Sequence, residues 1–162
     1  MKQKKYWLNC FLLLIPLFLW NIFLVDYLPE SYGPAIFDKD IPKLISYGEN
    51  ILRIIVFLLP VIMLLSLKTR IQKIGLGIYA IGVLLYFASW TLVIIDPQSL
   101  WSTSVIGFTA PAFTTAIWFV GIGLIGNKSY FKIPYLSLIY VCLAILFVIL
   151  HTAHAYLVFE RI

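Results

Sequence analysis

The sequence predicts an all-α integral membrane protein: a compact bundle of five transmembrane helices forming one domain over residues 1–162. Three observations carry this expectation. Hydrophobic residues make up 62% of the chain and charged residues 12%, against about 45–50% and about 25% in an ordinary soluble domain. Five apolar runs approach the length of about 20 residues that crosses a bilayer. The charges gather between those runs with alternating sign.

The runs fall at about 7–25, 50–67, 74–95, 105–125 and 133–158. The first, opening "MKQKKYWLNCFLLLIPLFLW", imitates a secretory signal peptide. Its apolar stretch is too long for one, and "FLVDYLPESYG" offers no small-residue cleavage site, so it reads as an uncleaved span. Short connections leave no room for a separate soluble domain, and no repeat or low-complexity tract is present.

The net charge of +5 is not spread evenly. Lys2, Lys4 and Lys5 precede the first span, Lys68, Arg70 and Lys73 follow the second, and Lys128 and Lys132 follow the fourth. All seven acids (Asp26, Glu30, Asp38, Asp40, Glu49, Asp96, Glu160) lie at the opposite helix ends. Cytoplasmic loops collect lysine and arginine. The pattern therefore predicts a cytoplasmic N-terminus, an extracytoplasmic C-terminus and no nucleic-acid partner, while a composition heavy in isoleucine, lysine and phenylalanine fits a bacterial plasma membrane. Cys10 and Cys142 each lack a neighbouring thiol in sequence, which argues against a disulfide framework or a thiolate metal site.

Depth along each span can be counted at 1.5 Å per residue. Asn21, Arg53, Ser89, Thr109 and His151 then all lie roughly 21–27 Å from the lysine-rich ends of their spans. Each span thus contributes one polar group to a single tier in the outer leaflet, with Trp20, Trp90, Trp101 and Tyr156 beside it. The other half carries glycine instead, in "IGLGIYAIG" (Gly75, Gly77, Gly82) and "FVGIGLIG" (Gly121, Gly123, Gly126). Small residues let membrane helices approach closely. A bundle pinched shut at its inner end and open outward is expected, with Gly77 and Gly123 facing one another.

Pro16, Pro60 and Pro111 interrupt three spans, and Thr109, Thr114 and Thr115 stand ready to satisfy carbonyls that Pro111 disturbs. The first outer segment, "DYLPESYGPAIFDKDIPKLISYGEN", has a helix start at Asp40 and Pro42. It predicts a short interfacial helix, continuous with the second span or separate from it, serving as a connector or as a lid.

Two groups in the outer tier carry chemistry. Glu49 and Arg53 are spaced for a helical ion pair, with the acid first; the pair reads as an edge arginine reaching headgroups or as an anion clamp. "LHTAHAYLVFE" places His151 and His154 on one helical face. They read as polar residues near the membrane edge, with pocket lining the leading functional role. Metal binding is weakly signalled, because other ligands would have to come from distant Glu49, Asp96 or Asp26. No metal is therefore assigned. In "SWTLVIIDPQSLWSTSVIGF" the serines lack a nucleophile-elbow context.

The leading functional expectation is a pocket for an amphipathic or anionic small molecule or lipid, formed by Trp20, Asn21, Glu49, Arg53, Ser89, Trp90, Thr109, His151 and His154. Two alternatives stand beside it. One is a membrane enzyme acting on a lipid or isoprenoid with His151 or His154 as acid–base. The other is an accessory subunit that binds a membrane partner or a second copy through its polar tier. Five spans cannot form two equal inverted repeats, which weighs against transport. The span count and length resemble the architecture of the tryptophan-rich sensory protein (translocator) family, which binds tetrapyrroles. The first loop, "LPESYGPAIFDKDIP", lacks that family's tryptophan-rich signature, so no membership follows.

Overall fold

In the computed structural model, residues 7–162 are described; Lys2, Lys4 and Lys5 lie outside them. The described chain is helical, with only two isolated β-bridges and no strand. It contains five helices long and apolar enough to cross a membrane: Cys10–Tyr27, Lys43–Val61, Arg70–Ile95, Val105–Ile125 and Leu136–Phe159.

The first of these starts as a 3-10 turn, Cys10–Leu14, capped by Asn9, whose Oδ1 accepts from Phe11 N–H at 3.1 Å. It continues as α1, Ile15–Leu24, with Pro16 in the first turn where its missing N–H is harmless. A single turn, α2 (Pro34–Phe37), lies in the segment that follows. α3, Lys43–Leu58, begins just after Pro42 and runs into the second span without a break.

Continuity of the first connecting segment's helix with the second span is one of the two expected arrangements. The helix ends near 61 rather than 67. Pro60 is the reason: it ends the α-helix and leaves a 3-10 turn, Leu59–Val61. Glu49 and Arg53 therefore lie in the second and third turns of this helix.

α4, Arg70–Ile95, opens with a capping box. Thr69 Oγ1 accepts from Gln72 N–H at 3.3 Å, and Gln72 Oε1 accepts from Thr69 N–H at 3.0 Å. The fourth span is α5, Val105–Phe113, capped by Ser104, and α6, Thr115–Ile125, with a break at Thr114. The break follows Pro111. The threonine hydroxyls there bond back to the chain, Thr109 to the carbonyl of Val105, Thr114 to Ala110 and Thr115 to Ala112. α7, Leu136–Phe159, is the fifth span.

α5 and α6 occupy the centre, with α4 on one side and α7 on the other; α3 packs on α7. α1 is the loosest member. Side chains bridge it to the rest: Phe18 tilts against Phe57 at 5.2 Å and Trp20 stacks on Phe87 at 3.9 Å. Tyr86 donates to Asn21 Oδ1 at 2.5 Å.

At the lysine-bearing end the connectors are knitted by backbone hydrogen bonds, Cys10 N–H to Met63 O at 2.9 Å and Leu64 N–H to Lys128 O at 2.8 Å. Above them α4 and α6 touch backbone to backbone. A Cβ at Gly121 would stand 2.5 Å from Tyr79 N, and one at Gly75 would stand 2.7 Å from Leu124 Cβ. The expected facing of Gly77 and Gly123 is not found. Gly77 looks into open space and Gly123 lies against Val141 of α7. Two residues along a helix turn the side-chain direction by about 200°, so Gly75 and Gly77 cannot share an interface. Close packing of this half rests on Gly75, Gly82 and Gly121.

Candidate functional site

The half of the bundle away from Lys68, Lys73, Lys128 and Lys132 is not filled. A cavity of about 330 Å³ lies beneath α1 and receives a residue from every span. Its polar wall is Asn21, Arg53, Tyr86, Thr115 and His151; its apolar wall includes Phe57, Trp90, Trp118 and Phe147. A second lobe of about 180 Å³ shares Val25, Tyr86, Trp90, Pro111 and His151 with it, and reaches out to Tyr32 and Phe37. The shared residues make the two lobes one cleft. Its gross size suits a small organic molecule or a lipid tail.

Behind the polar wall sits Glu49, only 1% exposed. Its position on α3 follows from the spacing of the helix: Leu52 and Val56 are buried on the same face, and Arg53 lies one turn on. Glu49 Oε1 accepts from Arg53 and from His151 Nδ1, the latter at 3.1 Å. Its Oε2 lies 2.7 Å from His154 Nδ1. On its other side His154 Nε2 is 3.0 Å from the Phe37 carbonyl, and the Phe37 ring stacks on the imidazole at 4.6 Å. One buried carboxylate thus gathers an arginine and two histidines.

The hydrogen-bond partners fix the protons. The Phe37 carbonyl can only accept, so His154 Nε2 carries hydrogen. A 2.7 Å contact between His154 Nδ1 and Glu49 Oε2 then needs one further proton, on either atom. The trio is an imidazolium beside a carboxylate or an imidazole beside a carboxylic acid. Arg53 is always charged. Glu49, Arg53 and His154 therefore carry a net charge of +1 in either form. Asp38, 71% exposed, approaches His154 Nε2 at 4.0 Å, and its water-facing carboxylate offsets only part of this charge.

His151 is fixed by the same logic. Glu49 Oε1 is an acceptor in both forms, so His151 Nδ1 donates, and a neutral His151 keeps a lone pair at Nε2. That atom has no hydrogen bond and is not sealed from solvent. The ring stacks on Phe147 at 5.5 Å, which holds its plane, and it lines both lobes. Across the cavity the buried indole N–H of Trp118 has no partner.

The segment between the first two spans covers the outer lobe. Tyr32 donates to the Phe108 carbonyl at 2.9 Å and stacks on the Phe108 ring at 4.6 Å. Burial raises its phenol above the ordinary tyrosine range, so it remains a donor at any working pH. Arg161 ties the same segment to the C-terminus through the carbonyls of Lys39 and Ile36, the latter at 3.3 Å.

Of the residues expected to form the pocket, Asn21, Arg53, Trp90 and His151 line the cleft, and Glu49 and His154 stand directly behind it. Three do not line it. Ser89 spends its hydroxyl on the Tyr86 carbonyl at 2.7 Å and Thr109 on that of Val105 at 2.7 Å. Trp20 stacks on Phe87 outside the two lobes. Tyr32, Phe37, Tyr86, Trp118 and Phe147 were not singled out from sequence. Phe147 lies four residues before His151 and seven before His154, on the same helical face, which was a readable signal for one of them.

Among the described residues no group of three or more His, Cys, Asp or Glu side chains is arranged to hold a metal ion. No protein-family model, no curated protein and no solved structure matches this chain.

Proposed function

We propose that this is a multi-pass protein of a bacterial plasma membrane that binds an amphipathic molecule with an anionic head in the cleft beneath α1. The orientation follows from the lysine distribution, with the cleft in the outer leaflet. The observation that carries the reading is the net positive charge of Glu49, Arg53 and His154 set beside an aromatic-walled hollow. In a low-dielectric interior an unbalanced charge is strongly stabilised by a counterion. Arg53, 44% exposed on its side chain, has N–H groups left over after Glu49 to meet one. The Phe and Trp walls would take an alkyl or ring body, and Asn21 and Trp118 supply further donors.

A pyrene-labelled alkyl sulfonate and the matching neutral alcohol, titrated into the purified protein in maltoside micelles at pH 7, test this. The sulfonate is expected to bind about tenfold tighter or more, one charged hydrogen bond being worth about 1.5–3 kcal/mol. Arg53→Met should erase the difference. Equal binding of both probes, or of neither, would sink the reading.

A second reading has one observation in its favour: the Glu49–His151 contact has the form of a carboxylate-oriented general base on a residue that lines the cleft. An enzyme acting on a lipid would yield a mass-altered lipid from membrane extract, and His151→Phe would abolish that product.

A further inference from the structure

We infer that the cleft takes its anionic ligand together with one proton, held between a ligand oxygen and His151 Nε2. The inference deepens the binding reading and rests on it. Three facts on the geometry lead there. His151 lines both lobes of the cleft, so a headgroup placed against Arg53 also meets the imidazole. Its Nδ1 is committed as a donor to Glu49 Oε1 at 3.1 Å. The remaining Nε2 is therefore an acceptor in the neutral ring, and it has no hydrogen bond of its own.

An acceptor facing an anion is repulsive: two lone pairs meet with nothing between them. A single proton removes the conflict. It can arrive on the ligand, as a protonated acid donating to Nε2, or on the ring, as an imidazolium donating to the ligand. The two descriptions have the same composition, ligand anion plus protein plus one proton. No bond other than the N–H or O–H bond is made or broken. The imidazolium form is supported from behind, because Glu49 already accepts the opposite N–H.

The other charged or titratable groups near the cleft cannot replace this proton. On α3, Glu49 and Arg53 are paired to each other. On α7, His154 has both nitrogens engaged, one with Glu49 and one with Phe37, and Asp38 beyond it faces solvent. On α4, Tyr86 donates to Asn21. Tyr32 of the outer segment donates to Phe108. His151 Nε2 is left as the ring nitrogen of this cluster without a hydrogen bond. The ligand class follows: an acid taken up as its anion together with one proton, a carboxylic acid or a phosphate monoester among them.

The pyrene-labelled alkyl sulfonate tests the idea cleanly, because its headgroup does not titrate near neutral pH and any pH dependence belongs to the protein. Wild-type protein is expected to bind it with a Kd that rises with pH between 7 and 9, approaching about tenfold per unit, as linkage to one proton requires. Calorimetry in phosphate and in Tris at pH 8 should show uptake of about one proton per probe bound. His151→Gln, which keeps a donor toward Glu49 and cannot ionise, should bind with a flat profile. Binding that is equally tight at pH 7 and 9 without proton uptake overturns the inference while leaving the binding reading intact. A slope that survives in His151→Gln also overturns it, placing the proton elsewhere. Absence of binding at every pH removes the binding reading itself. The calorimetric arm uses wild-type protein alone, so a poorly folding variant does not rescue the idea.

Discussion

The two halves of this bundle solve the same problem in opposite ways. Both must dispose of polar groups among apolar helices. In the half bearing Lys68, Lys73 and Lys128, buried and half-buried polar side chains cap a helix or bind a neighbour. Gln72, fully buried, receives the Thr69 and Lys68 N–H groups and donates to Asn127 at 2.9 Å. Tyr79 donates to the Leu13 carbonyl at 2.6 Å, and Ser137 to that of Gly123 at 2.6 Å. The exception is Tyr140, whose buried hydroxyl has no partner. Helices there meet through glycine, with Gly75, Gly82 and Gly121 letting α4 and α6 touch backbone to backbone. In the other half three polar side chains crowd around one carboxylate, and a hollow opens beside them. Close helix contact and spare hydrogen-bonding capacity exclude each other along the same set of spans.

The largest way to break this contrast is to remove the centre of the open half. Glu49→Ala leaves His154, Arg53 and His151 facing one another without their anion. Breaking a buried charged cluster from one side costs about 3–5 kcal/mol, and the partial exposure of Arg53 puts the expectation near the lower bound. Unfolding of the detergent-solubilised protein, followed by thermal loss of the monodisperse peak, should show it. A melting temperature equal to wild type would mean the cluster does not hold the outer half together. Next in size is a test of the closed half. Gly121→Ala puts a methyl carbon against the Tyr79 backbone, where neither partner is a flexible side chain. Overpacking of this kind costs about 1–3 kcal/mol, and the same assay measures it.

How far these halves could be read in the sequence depends on what was asked. The five spans were legible because apolar length needs no knowledge of partners. Depth was legible too, and it brought Asn21, Arg53 and His151 to one level. Direction around each helix axis was not. Ser89 and Thr109 share that depth yet turn their hydroxyls onto carbonyls of the preceding turn, as serine and threonine in helices commonly do. The second span was misplaced because Pro60 was taken as a kink inside a helix when it terminates one. The convergence of His151 and His154 on Glu49 spans more than a hundred residues of chain and has no local signature.

A smaller effect probes the cover over the open half. Tyr32→Phe keeps the ring stacked on Phe108 and removes the hydroxyl that bonds the Phe108 carbonyl. The loss is about 1 kcal/mol, the net worth of one neutral hydrogen bond. It should appear as faster protease cleavage within the segment around Pro34–Phe37 more than as a lower melting temperature. Unchanged cleavage would show that Phe37, through His154, and Arg161, through Ile36 and Lys39, hold the segment without that bond.

The smallest expected change is the most discriminating for the closed half, because it separates glycine as a packing device from glycine as mere composition. Gly75, Gly77 and Gly82 share one apolar run and look alike in sequence. Only Gly77 has nothing within 4 Å of a Cβ built on it. An added methyl there meets no protein atom, and alanine holds a helix better than glycine by about 0.5–1 kcal/mol. Gly77→Ala should therefore leave stability equal to wild type or raise it by up to that amount, while Gly75→Ala, whose Cβ would meet Leu124 and the Gly121 carbonyl, lowers it. The pair shares helix, depth and chemistry and differs only in azimuth. Opposite signs would tie the tightness of this half to the face that α4 turns toward α6; equal losses would show instead that Gly77 also packs, against a partner outside the chain.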